Sequence, residues 1–263
     1  MSIIVDTELN TPTEKYFQNI DYQIMSEAFS IHNTFGPLMD EACYRSALSQ
    51  RCTNLGFQNI QEVEIKLTHG DYIKSYYMDL LVKSSIIVEL KSVEALHPKH
   101  DAQLINYLLL CELPHGKLIN FGASSVESRF VSTTLKRSDR ADFLLHKDKW
   151  LPESEICIKI PDLLTDLFND WGTHLDFRLY ESALNHLAST QESSVEIYDK
   201  NQLLGNKKMH LINEVTALCL SACKGSLNNY QQHLQRMIAN TNLQTIQWIN
   251  IYRSHITLTT VEE

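Results

Sequence analysis

YMDLLVKSSIIVELKS, residues 77–92, reads as two short strands joined by a turn. Val, Ile and Leu fill it as they fill a buried sheet, yet Asp79, Glu89 and Lys91 interrupt it. Residues two apart in a strand face one side, so Glu89 and Lys91 point together while Leu90 points away. A hairpin through Lys83–Ser85 brings Asp79 beside Glu89. Two carboxylates held close in a half-buried place repel each other and lose hydration, at a cost of roughly several kcal/mol per ion. A divalent cation removes that cost, and Mg²⁺ suits two carboxylates plus waters. An adjacent lysine can orient or deprotonate water, or balance the charge of a phosphate. The same letters also suit a solvent-facing edge strand, so these residues alone leave a metal site and an exposed edge both open.

Working outward, the residues before this stretch carry helical spacing in YQIMSEAFSIHNTFG and LMDEACYRSALSQRCTNLG, with Gly36–Pro37 between them. QEVEIKL and KSYYMDLLV follow as strands, and PKHDAQLINYLLLCEL has Pro near its start and a helical apolar stripe. GKLINFG and SRFVSTTL are two further strands. Helices, three strands, a helix and two strands make an α/β sandwich. Residues 1–20 read as a polar leader, residues 21–147 as a first domain and 148–263 as a second, with a linker near HKDKWLPESE.

The division rests on an internal repeat. A slide of 130 positions sets Leu81 on Leu211, Leu90 on Leu220, Leu104 on Leu234 and LINF on WINI. Upstream, a slide of 136 sets Gly36 on Gly172, Asp40 on Asp176 and Tyr44 on Tyr180. The slide changes only between elements, where loop insertions belong. The charged positions do not persist: Asp79 meets Met209, Glu89 meets Cys219, Lys91 meets Ser221, Gln103 meets His233, Tyr107 meets Met237 and Glu41 meets Phe177. Met, Cys and Phe suit a closed, metal-free core, so the second half reads as a degenerate copy, packed on the first as an intramolecular pseudo-dimer.

Hydrophobic residues make up 43% of the 263 and charged residues 21%, which suits a folded domain rather than a disordered chain. The net charge of −9 excludes a protein that coats nucleic acid non-specifically, so a polyanion partner must meet a local basic patch or a bound cation. Six cysteines without a C-x-x-C pair read as free thiols of a reducing compartment. MSIIVDTELNTPTEKYF, residues 1–17, has no basic region and no apolar run long enough for a signal or a membrane span, and the cytoplasm is the expected location.

In HNTFGPLMDEACY, Gly36, Pro37, Glu41 and Tyr44 resemble the motif of the GxxExxY proteins, which are placed in the PD-(D/E)XK nuclease superfamily. The resemblance continues through MDLLV, IIVELK, AQLINYL and LINFG and covers about residues 22–135. It implies a restriction-endonuclease-like mixed sheet flanked by helices, here duplicated in tandem. It implies that Asp79, Glu89 and the Leu90 carbonyl bind Mg²⁺ or Mn²⁺, and that Lys91 positions or activates the attacking water. Glu41 resembles an additional acidic residue that supports the metal. Gln103 and Tyr107, four apart on one helical face, match a Q-x-x-x-Y pattern, in which Tyr107 can reach a phosphate. Tyr44 and His32 are further substrate-binding candidates, His32 equally suiting helix packing. Leu38 departs from the family, whose members usually carry a second glycine there, and Met78 rather than Pro precedes Asp79.

The resulting expectation is a metal-dependent phosphodiesterase acting on DNA more than RNA. A structured substrate, a partner protein or a narrow cleft then supplies its selectivity; a non-catalytic nucleic-acid-binding module or a protein-interaction scaffold on the same fold is the alternative. Three weaker features stay open at this level. HPKH at 97–100 is a basic rim or a solvated helix start. Lys136, Arg137 and Arg140 meet a nucleic-acid backbone or form a charged turn. Cys219 and Cys223 are buried thiols or, with His210 or His233, a zinc site.

Overall fold

The computed structural model describes residues 2–263. The chain divides into two units: residues up to Thr68 with Ile73–Arg137, and His69–Tyr72 with Ser138–Glu263. In the first half run β1 (Ile3–Val5), α1 (Glu14–Phe35), α2 (Glu41–Asn54), β2 (Asn59–His69), β3 (Tyr72–Val82), β4 (Ile86–Lys91), α3 (Pro98–Cys111), β5 (His115–Asn120) and β6 (Glu127–Ser132). After α4 (Arg137–Ala141) come β7 (Leu144–Lys149), α5 (Glu155–Trp171), α6 (Phe177–Leu187), β8 (Gln191–Asp199), β9 (Gln202–Asn213), β10 (Thr216–Ser221), α7 (Leu227–Ala239), β11 (Thr245–Tyr252) and β12 (His255–Val261). The result is an α/β protein with two mixed six-stranded sheets flanked by helices.

The first sheet has the strand order β1-β2-β3-β4-β5-β6. β3 and β4 are antiparallel, β4 and β5 parallel, and β5 and β6 antiparallel. The parallel pair exists because α3 crosses over between its strands. Ile24, Ala28 and Ile31 of α1 and Tyr44, Leu48 and Cys52 of α2 pack on Leu80, Val82, Ile86, Val88 and Leu90. This is the alternation expected of β4: Val88 and Leu90 enter the α1–α2 core, and Glu89 and Lys91 do not.

Within residues 2–20, read from sequence as a polar leader, lie β1 and the start of α1. Ile3–Val5 pairs antiparallel with Ile65–Leu67, and Asn10 donates its N–H to the Ser84 carbonyl at 2.7 Å. α1 starts at Glu14 because the Thr13 hydroxyl accepts the Tyr16 N–H at 3.3 Å. A three-residue strand is too short to display alternation. Leu144–Lys149, read from sequence as reaching into a linker, forms β7 and pairs parallel with β12.

The second sheet has the order β7-β12-β11-β10-β9-β8. From α5 to β12 its element order is that of α1 to β6, and the fine structure recurs too. Glu89 sits opposite Leu118 and Cys219 opposite Trp248, while Lys91 sits opposite Asn120 and Ser221 opposite Asn250. Asn120 accepts the Val93 N–H at 3.0 Å and donates to its carbonyl at 2.8 Å; Asn250 does the same to Cys223 at 2.7 and 3.3 Å. Gly36 and Gly172 end α1 and α5 at φ +69° and +78°, a backbone region that favours glycine. Each carbonyl accepts the hydroxyl of the tyrosine eight residues on, Tyr44 and Tyr180. The sixth strands differ: β1 extends the first sheet beyond β2, and β7 extends the second beyond β12. Among the described residues, no helix is long and apolar enough to cross a membrane.

Candidate active site

The site forms where β3 and β4 part. Their ladder runs from Val82–Ile86 to Leu80–Val88 and stops there. The next inward N–H, that of Leu90, is taken by the Asp79 side chain, whose Oδ2 accepts it at 2.8 Å. A carboxylate thus replaces a backbone acceptor and is held between two diverging strands. Its Oδ1 accepts from Arg45 Nη1 at 3.1 Å, and Arg45 Nη2 reaches Glu62 at 2.8 Å. Asp79 is 8% exposed and Glu89 1%.

Lys91 stands at the focus. Its Nζ donates to Glu89 Oε1 and to the Leu90 carbonyl, both at 2.7 Å. Glu41 Oε2 lies 3.8 Å away and Asp79 Oδ2 4.0 Å. Three carboxylates and one carbonyl therefore surround one ammonium. Burial alone lowers the lysine's pKa, but Glu89, Glu41 and Asp79 together outweigh it and raise it, so Lys91 stays charged. Burial and the Asp79 charge push Glu89 up to about 8, against the pull of Lys91. Glu41 is raised too, by burial first, with Lys91 opposing and Asp79 adding.

Gln103 and Tyr107 of α3 share a face, and Gln103 Nε2 donates to the Tyr107 hydroxyl at 3.0 Å. That leaves the phenol proton free for an acceptor. Burial and the Glu89 charge push Tyr107 up to about 12, which keeps it a neutral donor. Six of the sequence candidates, Asp79, Glu89, Leu90, Lys91, Glu41 and Tyr107, are thus coupled, with Gln103 behind the last.

Tyr44 and His32 are engaged otherwise. Tyr44 is fully buried and stacks on Phe121 at 4.5 Å, and its hydroxyl bridges the Gly36 carbonyl at 2.5 Å and the Met39 N–H at 3.1 Å. His32 is buried, with Nε2 3.0 Å from the Ala123 carbonyl. Both brace the loop and segment that border the site. In HPKH, His97 and His100 form a reciprocal cap on α3, and His100 is buried. Arg140 is buried as well, with Nη1 donating to the Trp171 and Thr173 carbonyls. Cys219 lies 4.0 Å from the Tyr230 hydroxyl, and burial raises its pKa.

Sequence reasoning missed Arg45 and Asn120. Arg45 follows Glu41 by four residues on α2 and so shares its face, a spacing that was there to be used. Asn120 sits opposite Lys91 and pins Val93, fixing the chain's exit from β4.

Whether these residues suit a divalent cation is tested by Glu89 Oε2, a buried acceptor without a hydrogen-bond partner. Such an atom is costly unless a ligand meets it. The surrounding donors are all oxygen, as a hard cation requires. Among the described residues, no three His, Cys, Asp or Glu side chains are grouped as a metal site of their own. The oxygens that could meet a cation here are those of Asp79, Glu89 and the Leu90 carbonyl.

A carboxylate on one strand, Glu-x-Lys on the next and a Gln/Tyr helix behind them make this an acidic centre with a lysine, set in a mixed α/β sheet. Residues 18–132 match the family model described as the PD-(D/E)XK nuclease superfamily, so the first half carries a domain of that superfamily. A solved structure described as "Crystal structure of SSO0001" is 16% identical with a TM-score of 0.29; the match covers 46% of this chain and 64% of that one, so the chain spans less than two thirds of its length. A comparison with curated proteins found no match.

Proposed function

We propose that the first unit is a metal-dependent nuclease that hydrolyses phosphodiesters, of DNA rather than RNA. One observation carries this reading: four oxygen-bearing groups converge on Lys91, and a fifth oxygen, Glu89 Oε2, is buried and unsatisfied. Asp79, Glu89 and the Leu90 carbonyl would hold Mg²⁺ or Mn²⁺. The cation, when bound, polarises the phosphate and offsets the negative charge that develops on it.

The remaining work falls to side chains. Lys91 is an ammonium, so it orients water or a phosphate oxygen rather than taking a proton. Tyr107 donates its phenol proton to a phosphate oxygen, with Gln103 setting the direction of the hydroxyl. Arg45 holds the Asp79 carboxylate in place through its Nη1. Glu41 adds negative charge at the open side of the centre and attracts the cation. Water adds to phosphorus, one P–O ester bond breaks, and the departing oxygen takes up a proton. The six free thiols suit a reducing compartment such as the cytoplasm.

The recurring tyrosine bracket, asparagine clamp and strand register support a tandem duplication whose second copy lost the carboxylates. A second reading, a module that binds nucleic acid without cutting, draws on the bonds by which Lys91 already engages Glu89 and Leu90.

Cleavage of linear, circular, single-stranded and branched DNA in Mg²⁺, Mn²⁺ or EDTA separates the two. Divalent-dependent cutting, absent from Lys91→Ala and Glu89→Ala variants that still fold, is the expected result. Binding with no cutting in any cation would select the non-catalytic module, and cutting that survives both substitutions would sink the assigned centre.

A further inference from the structure

The loop between α1 and α2 holds its backbone in place and turns one large apolar side chain outward. Tyr44 fixes both ends, accepting the Met39 N–H and donating to the Gly36 carbonyl. The Met39 carbonyl accepts the Ser92 hydroxyl at 2.8 Å, which ties the loop to the residue after Lys91. Met39 packs inward on the core. Leu38, between these anchors, is 94% exposed, and Phe35 at the end of α1 is 50% exposed. Glu41, three residues on, lies 3.8 Å from Lys91.

Single exposed leucines are ordinary on protein surfaces. The second unit supplies an internal comparison that makes this one informative. Its loop keeps the bracket from Tyr180 to Gly172. By the same spacing, however, Phe35 corresponds to Trp171, which is fully buried, and Leu38 to His174, a half-buried residue 3.0 Å from the Thr173 hydroxyl. The bracketed loop is common to both units. The outward apolar tip accompanies only the unit that carries Asp79, Glu89 and Lys91.

We infer that Leu38 is a wedge that enters the base stack of a duplex beside the phosphate held at Lys91. The inference rests on the nuclease reading above. Apolar side chains inserted at a base step unstack it and kink the duplex, at a cost of a few kcal/mol that new contacts offset. A loop held at both ends can apply that force, whereas a mobile one yields. The substrate class is then a DNA duplex opened at one step. Flexible pyrimidine–purine steps, nicks and junctions are favoured because they unstack most easily.

The test uses duplexes with 2-aminopurine at successive positions, read by its emission, and a fluorescein end label, read by anisotropy. Both are titrated with the full chain in EDTA and in Mg²⁺ at low salt. Wild type is expected to bind and to raise 2-aminopurine emission at one step by about threefold or more, the signature of unstacking. Leu38→Ala is expected to bind within about threefold of wild type yet lose the rise, because phosphate contacts carry most of the affinity. Leu38→Met should restore the rise, and Ile158→Ala, an exposed apolar change in the other unit, should leave it intact. Binding without a rise in wild type, or a full rise in Leu38→Ala, overturns the wedge and leaves the nuclease reading standing. No binding to any duplex in either condition overturns the wedge, and absence of cleavage and binding of single-stranded DNA as well would overturn the nuclease reading.

Discussion

At the scale of single residues, Glu89 concentrates the tension in this protein. A carboxyl whose ordinary pKa is 4.5 is held at about 8, chiefly by burial and then by Asp79. The unfolded chain releases that proton near its ordinary value and the folded protein near the raised one. Folding therefore retains a proton across this window, and stability is full below it and falls as pH rises through it. In EDTA, the melting temperature of wild type should fall between pH 5 and 8.5, and Glu89→Gln should flatten the curve and melt several degrees higher at the alkaline end. Equal slopes in the two proteins would show that another group sets the dependence. Mg²⁺ should raise the wild-type curve at pH 8 and leave the variant unmoved. Much of this centre was legible beforehand: Asp79, Glu89 and Lys91 stood out because charge interrupts an apolar strand pair. Tyr44 was misleading, since a motif tyrosine suggests a substrate contact while its hydroxyl is consumed by the Gly36–Met39 bracket. Arg45 shares a helical face with Glu41, but its partner Asp79 is 34 residues away, so the spacing alone does not announce that pairing.

At the scale of elements, the loops that frame the centre are set by close approach and by hydrogen bonds from side chains. A Cβ on Gly122 would lie 2.4 Å from the Val93 nitrogen and 2.6 Å from the Ser92 carbonyl carbon, contacts that backbone cannot accept. Gly122→Ala should therefore cost about 2 kcal/mol or more and displace the chain just after Lys91, seen as a lowered melting temperature with a loss of divalent binding. An unaltered melt would mean that the segment yields freely. Tyr44→Phe keeps the ring on Phe121 but removes two hydrogen bonds, at roughly 1–3 kcal/mol. Hydrogen exchange at the Met39 amide should quicken with it, while amides of the second unit keep their rates. Elements with strong patterns were legible: α3 began at Pro98 as its sequence implies, and β3 and β4 ran as their Val, Ile and Leu content required. β1 and β7 were not. One has three residues, and the other, LLHKDK, is mostly polar and exposed, so neither carries a period-two apolar signal. Pairing with a neighbour makes them strands, and pairing is not written in local sequence.

At the scale of the whole molecule, the two units are alike in frame and unlike in chemistry. The asparagine clamp after the fourth strand of each sheet survives, but the residues it positions are Glu89 and Lys91 in one unit and Cys219 and Ser221 in the other. Backbone-directed bonds persist under different demands because any copy of the fold needs them. A buried carboxylate carries a desolvation cost that a bound cation would offset. Met209 and Cys219, where Asp79 and Glu89 would stand, need no such ligand and pack as apolar groups. The chain should accordingly bind one divalent ion and not two. Calorimetric titration of the full protein with Mn²⁺ is expected to give a stoichiometry near one, abolished by Glu89→Ala and unaffected by Cys219→Ala. Lys91→Ala should bind the ion at least as tightly as wild type, because the ammonium and the cation compete for Glu89 Oε1 and the Leu90 carbonyl. A stoichiometry of two, or a Cys219 variant that loses binding, would show that the second unit holds a working centre of its own. Weaker binding in Lys91→Ala would show that the lysine supports the ion rather than standing in its place.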